Sequence, residues 1–202
     1  MRMPDIVLST HNPSKAEQVR ALFAGSIWKV LTLEDVNVLG EAKEGGATLE
    51  DNAALKARHA HERAPVGVWT MADDTGIFIR ALGGEPGVRS ARWTGDTATT
   101  EDITHYTLER MRGITDRRAT FRTVVVLISP DGAEHFFAGE VQGTIATEPL
   151  AAAQPKMPYS PIFIPEGFGK CWAQMSVDEE NAISHRGKAF RNARAYLESV
   201  TS

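Results

Sequence analysis

The chain has 202 residues, 42% of them hydrophobic and 24% charged, a composition that folds as a single globular domain over 1–202, with room for two lobes. A formal net charge of −4 argues against a general nucleic-acid binder, which carries a basic face. The single cysteine, Cys171, excludes an intramolecular disulfide, so nothing points to an oxidising compartment.

The start, MRMPDIVLSTHN, turns polar after a few apolar positions; neither it nor any later run reads as a signal peptide or a membrane span, and the chain is expected in the cytoplasm. DIVLS (5–9) reads as a buried strand, and a helix is expected from Pro13 and Ser14 to about Phe23. WKVLTLEDV (28–36) holds a second strand. Thr48 or Asp51 is placed to cap the helix NAALKARHAHERA. VGVWTMADD (66–74) reads as a strand and GIFIRAL (76–82) as a separate strand or turn. A capped helix follows in TTEDITHYTLERMRGI (99–114), then a hairpin of two β-rich runs around PDG. The 151–161 segment is a loop, IFIP a short strand, and NAISHRGKAFRNARAYLESV a basic loop feeding a terminal helix with Ala189, Ala193 and Leu197 spaced by four. Helices and strands alternate early and a hairpin follows, which is an α/β fold with a mixed sheet.

Three stretches can carry chemistry. STHNPSK (9–15) opens the first helix, where free amides and Lys15 attract phosphate; equally, Asn12 only caps the helix. Asp73 and Asp74, with Glu44, form an acidic set suited to Mg²⁺; equally, DDTG is a turn built from local hydrogen bonds. Ser184, His185 and Arg186 line up donors for carbonyl oxygens or ring nitrogens, or simply begin a capped helix. Each alone is weak. The remaining histidines have no metal-ligand spacing.

Taken in order, STHNPSK, EGGATLEDNAALKA, ADDTGIFIRALGGEPGVRSARWTG and ISHRGKA resemble the inosine/xanthosine triphosphate pyrophosphatase family, over residues 6 to about 197. The resemblance implies an elongated mixed sheet flanked by helices, two lobes with a central substrate cleft, a homodimer, and Mg²⁺-dependent hydrolysis of deaminated purine nucleoside triphosphates to monophosphate and pyrophosphate. It implies that Thr10, Asn12, Lys15 and Lys56 hold phosphates, that Glu44 and Asp74 bind Mg²⁺ with Asp73 nearby, and that Asp74 accepts the proton. Thr75 stands where a serine touches substrate, and His185 and Arg186 read the base with Ser184 beside them. No nucleic acid or membrane partner is implied.

The base end departs from the family pattern. Met157 stands where a phenylalanine stacks on the purine, Pro158 replaces a glycine and Ser160 an aspartate, on either side of Tyr159 in the substrate loop. Glu180 replaces a lysine, Gln174 a glutamate, and Arg89 takes a place often held by tyrosine. Losing a flat ring exchanges a stacking surface worth roughly 1–3 kcal/mol for a flexible thioether. The polyphosphate end therefore reads as intact and the base end as remodelled, leaving open the same chemistry on a modified nucleotide in a specialised pathway. The alternative from another class is nucleotide binding without catalysis.

Overall fold

The computed structural model describes residues 5–40, 42 and 45–201. In β1 (Asp5–Leu8) the side chains of Ile6, Val7 and Leu8 are all fully buried, so both faces of the strand need cover, as in a central parallel strand. It pairs in parallel with β2 (Lys29–Thr32) and with β3 (Trp69–Ile79). The crossovers carry α1 (Pro13–Leu22) and α2 (Leu49–His61). Beyond β3, a two-residue β4 (Pro86–Gly87) folds back antiparallel against Ile77 and Phe78. After α3 (Thr100–Arg110) come the hairpin strands β5 (Arg118–Ile128) and β6 (Glu134–Ile145), then β7 (Phe163–Pro165), antiparallel to β6. Two helices, α4 (Val177–Ile183) and α5 (His185–Val200), end the chain. The sheet order is β2-β1-β3-β5-β6-β7, with β4 attached to β3, the mixed α/β arrangement read from the sequence. No helix of the described residues is long and apolar enough to cross a membrane.

The contacts divide into two compact units. The first comprises Met1–Asp74, Thr123–Gly139 and Arg186–Ser202; the second, Thr75–Arg122 and Glu140–His185. In the first, Ile6, Leu8 and Met71 meet Val19 and Phe23 of α1 and Phe190 and Leu197 of α5, while Val7, between Ile6 and Leu8, meets Leu33, Val38 and Ala60. Strand alternation thus assigns α1 and α5 to one face and α2 to the other. The second unit closes on Ile77, Ile79, Ile103, Met111, Ile162, Phe163 and Trp172. There Gly143 lets β6 approach β7, since a Cβ at that position would lie 2.4 Å from the Ile164 carbonyl and 2.6 Å from the Phe163 ring.

Two expectations are corrected. Residues 66–74 and 76–82 are not separate elements: one eleven-residue strand runs through Asp73, Asp74, Thr75 and Gly76, so DDTG is no turn. Incorporation in the sheet, between β1 and β5 and with β4 paired beyond it at Ile77 and Phe78, outweighs the local turn signal. The basic SHRGKA stretch (184–189) is not a loop before the terminal helix either, because α5 begins at His185, directly after the short α4.

Candidate active site

Asp73 and Asp74 lie next to each other in sequence but point to opposite faces of β3. Asp73, 2% exposed, meets Lys15 of α1, with Nζ 3.0 Å from Oδ1, and Arg186 of α5, with Nε 3.4 Å from Oδ2. Asp74 meets α2 instead: Lys56 Nζ donates to Oδ1 at 2.7 Å and Asn52 Nδ2 to Oδ2 at 3.3 Å. The backbone alternation keeps two like charges apart and gives each its own lysine. That is why the strand tolerates them side by side.

The helices deliver these lysines through their caps. Thr48 and Asp51 form a reciprocal capping box at the start of α2, which fixes the first turn. One turn on, Asn52 and Lys56 stand four apart on one face, and both reach Asp74. Asn52 is nearly fully buried and its Oδ1 accepts from the Gly46 N–H at 2.9 Å. A Cβ on Gly46 would sit 2.5 Å from Cβ of Asp51, so only glycine lets the loop lie there. At α1, Asn12 is the N-cap, its Oδ1 accepting from the Lys15 N–H at 3.3 Å, and Thr10 Oγ1 accepts from the Asn12 N–H at 3.1 Å. Both side chains therefore shape the turn that presents Lys15. Gln18, one turn after Lys15, accepts from Arg186 Nη1 at 3.2 Å.

Burial works against charge at both members of the Lys15–Asp73 pair. It holds the Lys15 ammonium below the usual lysine range, with Asp73 pulling the other way. Burial alone would raise Asp73, but Lys15, Arg186 and Lys56 outweigh it and hold the carboxyl well below the usual range. Asp73 is thus an anion throughout the neutral range. Among the described residues no three His, Cys, Asp or Glu side chains gather as a metal cluster, and Glu44 lies outside the described residues.

In the second unit the expected base-reading residues sit among rings. His185, 7% exposed, stacks on Phe121 with centroids 4.9 Å apart and planes 13° from parallel, and meets the edge of Trp172 at 5.5 Å. Phe121 also packs edge-on to Phe163 at 4.8 Å. Met157 packs partly buried against this core. Tyr159 is buried, its hydroxyl donating to the Ser90 carbonyl at 2.8 Å, and burial pushes its phenol up, so it stays neutral. Ser160 Oγ donates to the Met157 carbonyl at 2.7 Å and accepts from the Gln154 N–H at 2.9 Å, tying the 154–160 turn shut. Gln174 Oε1 accepts from the Cys171 N–H and Nε2 donates to the Leu150 carbonyl, at 3.0 and 3.1 Å. Glu180 is half-buried on α4, with no hydrogen bond or ion pair to its carboxylate among the described residues. Ser184 is buried where α4 ends, and Thr75 is half-buried on β3.

The sequence reading named the two lysines and two aspartates that the structure brings together, but placed Arg186 with His185. The structure puts their side chains in different surroundings. It missed Asn52, Gln18, Phe121 and Trp172.

Residues 6–196 match the Ham1 family. A dITP/XTP pyrophosphatase of Thermus thermophilus is 41% identical over 193 residues, covering 95% of this chain and 90% of that protein. One from Caldanaerobacter subterraneus is 34% identical over 194 residues, covering 95% of each. Among solved structures, a HAM1 protein from Coxiella burnetii superposes with a TM-score of 0.88 at 33% identity, covering 98% of this chain and all of that one. The Staphylococcus aureus Ham1 protein gives 0.86 at 32% identity, covering 96% and 98%. With the motif order, the paired carboxylates and the sheet all agreeing, the chain belongs to the Ham1 family.

Proposed function

We propose that the chain is a nucleoside triphosphate pyrophosphohydrolase acting on non-standard purine nucleotides of the dITP and XTP kind. One observation carries this reading: adjacent carboxylates on opposite faces of β3, each paired with a lysine from a different helix. In the reaction a water oxygen attacks the α-phosphorus, the bond to the bridging oxygen of the departing pyrophosphate breaks, and the water's proton passes to a carboxylate. Asp74 is the group for that proton, being the less buried of the two. Lys15 and Lys56, anchored by the two helices, offset charge on the polyphosphate. Thr10 and Asn12 hold the turn that aims Lys15 at it.

The donor chemistry fits Mg²⁺, a hard cation that takes oxygen ligands and shares itself with phosphates. Because alternation separates the aspartates, an ion would draw on Asp74, with Glu44 as its partner, rather than on both aspartates of the strand. When bound, it would supply charge neutralisation at the phosphates. In the second unit, His185 on its Phe121 support is the group to meet the base, with Ser184 and Glu180 near it in sequence and Met157 packed against the same core as Phe121. A homodimer acting in the cytoplasm belongs to the same reading.

The test is release of pyrophosphate, with Mg²⁺, from ITP, dITP, XTP, GTP, ATP, CTP and UTP. The reading expects dITP and XTP to lead GTP by at least about tenfold in kcat/KM, a difference of roughly 1.4 kcal/mol. Nucleotide binding with no pyrophosphate from any of them would overturn it in favour of a binding protein.

A further inference from the structure

We propose that Arg20, Ser26 and Asp35 close the outer edge of β2 against a second copy of this chain, whose own β2 is the strand that fits there. The inference is independent of the pyrophosphohydrolase reading and uses residues with no part in the site described above.

β2 ends the sheet, with β1 as its strand neighbour. The backbone groups on its far side are therefore open to another strand. Bonds to side chains identify that outward set. The Thr32 N–H donates to Asp35 Oδ2 at 2.8 Å, and the Val30 carbonyl accepts from Arg20 Nε at 3.2 Å. The N–H of Trp28, one residue before the strand, donates to Ser26 Oγ at 3.2 Å. These three residues are two apart, the spacing of one edge of a strand. The caps are also held in place. Arg20 Nη2 donates to Asp35 Oδ2 at 2.7 Å, the Asp35 N–H donates to Thr32 Oγ1 at 3.2 Å, and Ser26 Oγ donates to the Phe23 carbonyl at 2.7 Å. Asp35 and Ser26 lie within three residues of what they cap, so local turns explain them. Arg20 does not: it reaches over from the last turn of α1. An open groove of about 460 Å³, lined by Arg20, Phe23, Ser26, Trp28, Val30 and Asp35 among others, leaves room beside the edge. At the far end of the sheet, β7 is three residues long and finishes on Pro165, which has no N–H to offer. β2, Lys-Val-Leu-Thr, has no proline and relies on side chains.

Symmetry identifies the occupant. Laid antiparallel about a two-fold axis through Val30, two copies bring Trp28 opposite Thr32 and Val30 opposite Val30. Each outward N–H then meets an outward carbonyl, so the edge is complementary to itself.

The experiment compares wild type with Arg20→Ala, Asp35→Ala and the double variant by sedimentation equilibrium, up to about millimolar chain. Amide hydrogen exchange at Trp28, Val30 and Thr32 is read at the dilute and concentrated ends. The wild-type mass is the reference and should not be exceeded through this edge. The double variant should reach about twice that mass, with exchange at the three amides slowed at least about tenfold on concentration. The single variants should shift less. Arg20→Ala leaves the Thr32–Asp35 turn intact, so it carries the test if the double variant does not fold. Arg58→Ala, which removes an exposed ion pair between α2 and β6, should keep the wild-type mass. Wild-type mass in every edge variant would overturn the proposal, as would a rise in mass with exchange at the three amides unslowed. Equal association by Arg58→Ala would make lost surface charge the cause instead. Concentration-dependent protection of the three amides in the wild type would show that the side chains do not close the edge.

Discussion

Lys15, Lys56, Asp73, Asp74 and Arg186, in the first unit, hold one another by charge at 2.7–3.4 Å. His185, in the second, is held by the face of one ring and the edge of another. The difference is one of replaceability. A charged partner can be exchanged for a phosphate oxygen of the same sign with little rearrangement, which suits the first set to the phosphate-binding role proposed for it. Ring packing has no such exchange; it fixes a shape before anything binds. The sharpest way to break the comparison is Asp74→Asn. It keeps the size of the side chain but leaves a single acceptor oxygen, so only one of the bonds from Asn52 and Lys56 survives, and it removes the carboxylate proposed to accept the proton. The expected outcome is a loss in kcat of about 10³-fold, with nucleotide binding retained within several-fold. Unchanged turnover would move the chemistry elsewhere.

The starts of α1, α2 and α3 were written plainly in the chain. Thr48 with Asp51 and Thr99 with Asp102 are capping boxes, and Asn12 before Pro13 starts α1 as read. The PDG hairpin was equally legible. What escaped was whatever depended on tertiary pairing. Asp-Asp-Thr-Gly carries a turn signal, yet it lies inside β3, which the sheet flanks with β1 and β5, and that extension points the two carboxylates to opposite faces. Asn52 and Gln18 had a signal that was passed over, since each stands three or four residues from a lysine already singled out. Phe121 and Trp172 had none: they lie 64 and 13 residues from His185, on different elements, and no local period joins them.

Phe121 sharpens the other side of the comparison. Its ring meets Tyr159, Phe163, Trp172 and His185 with centroids 4.8–6.0 Å apart. Phe121→Leu keeps an apolar filler but removes the flat face under the imidazole. Thermal or urea unfolding should show a loss of about 1–2 kcal/mol. Pyrophosphate release should change its ratio between dITP and GTP, because His185 is no longer held in one plane. A shift in stability with the ratio unmoved would mean that the rings build the core and nothing more.

The smallest effect expected is at Gln174, where the two halves of one amide do different work. Its carbonyl accepts from Cys171 and caps a short turn, and its NH₂ group donates to Leu150 across the loop. A carboxylate at this position would do the first as well or better, but it has no proton to give, so Gln174→Glu breaks only the second bond. The site is exposed, so water takes over most of what the Leu150 carbonyl loses, and the cost should be near 0.5 kcal/mol, about two-fold in the folding equilibrium. Proteolysis within 150–161 should quicken before global unfolding changes, because the amide anchors that loop and not the core. Equal cleavage rates in the two proteins would show that Ser160, with its bonds to Met157 and Gln154, closes the loop without help.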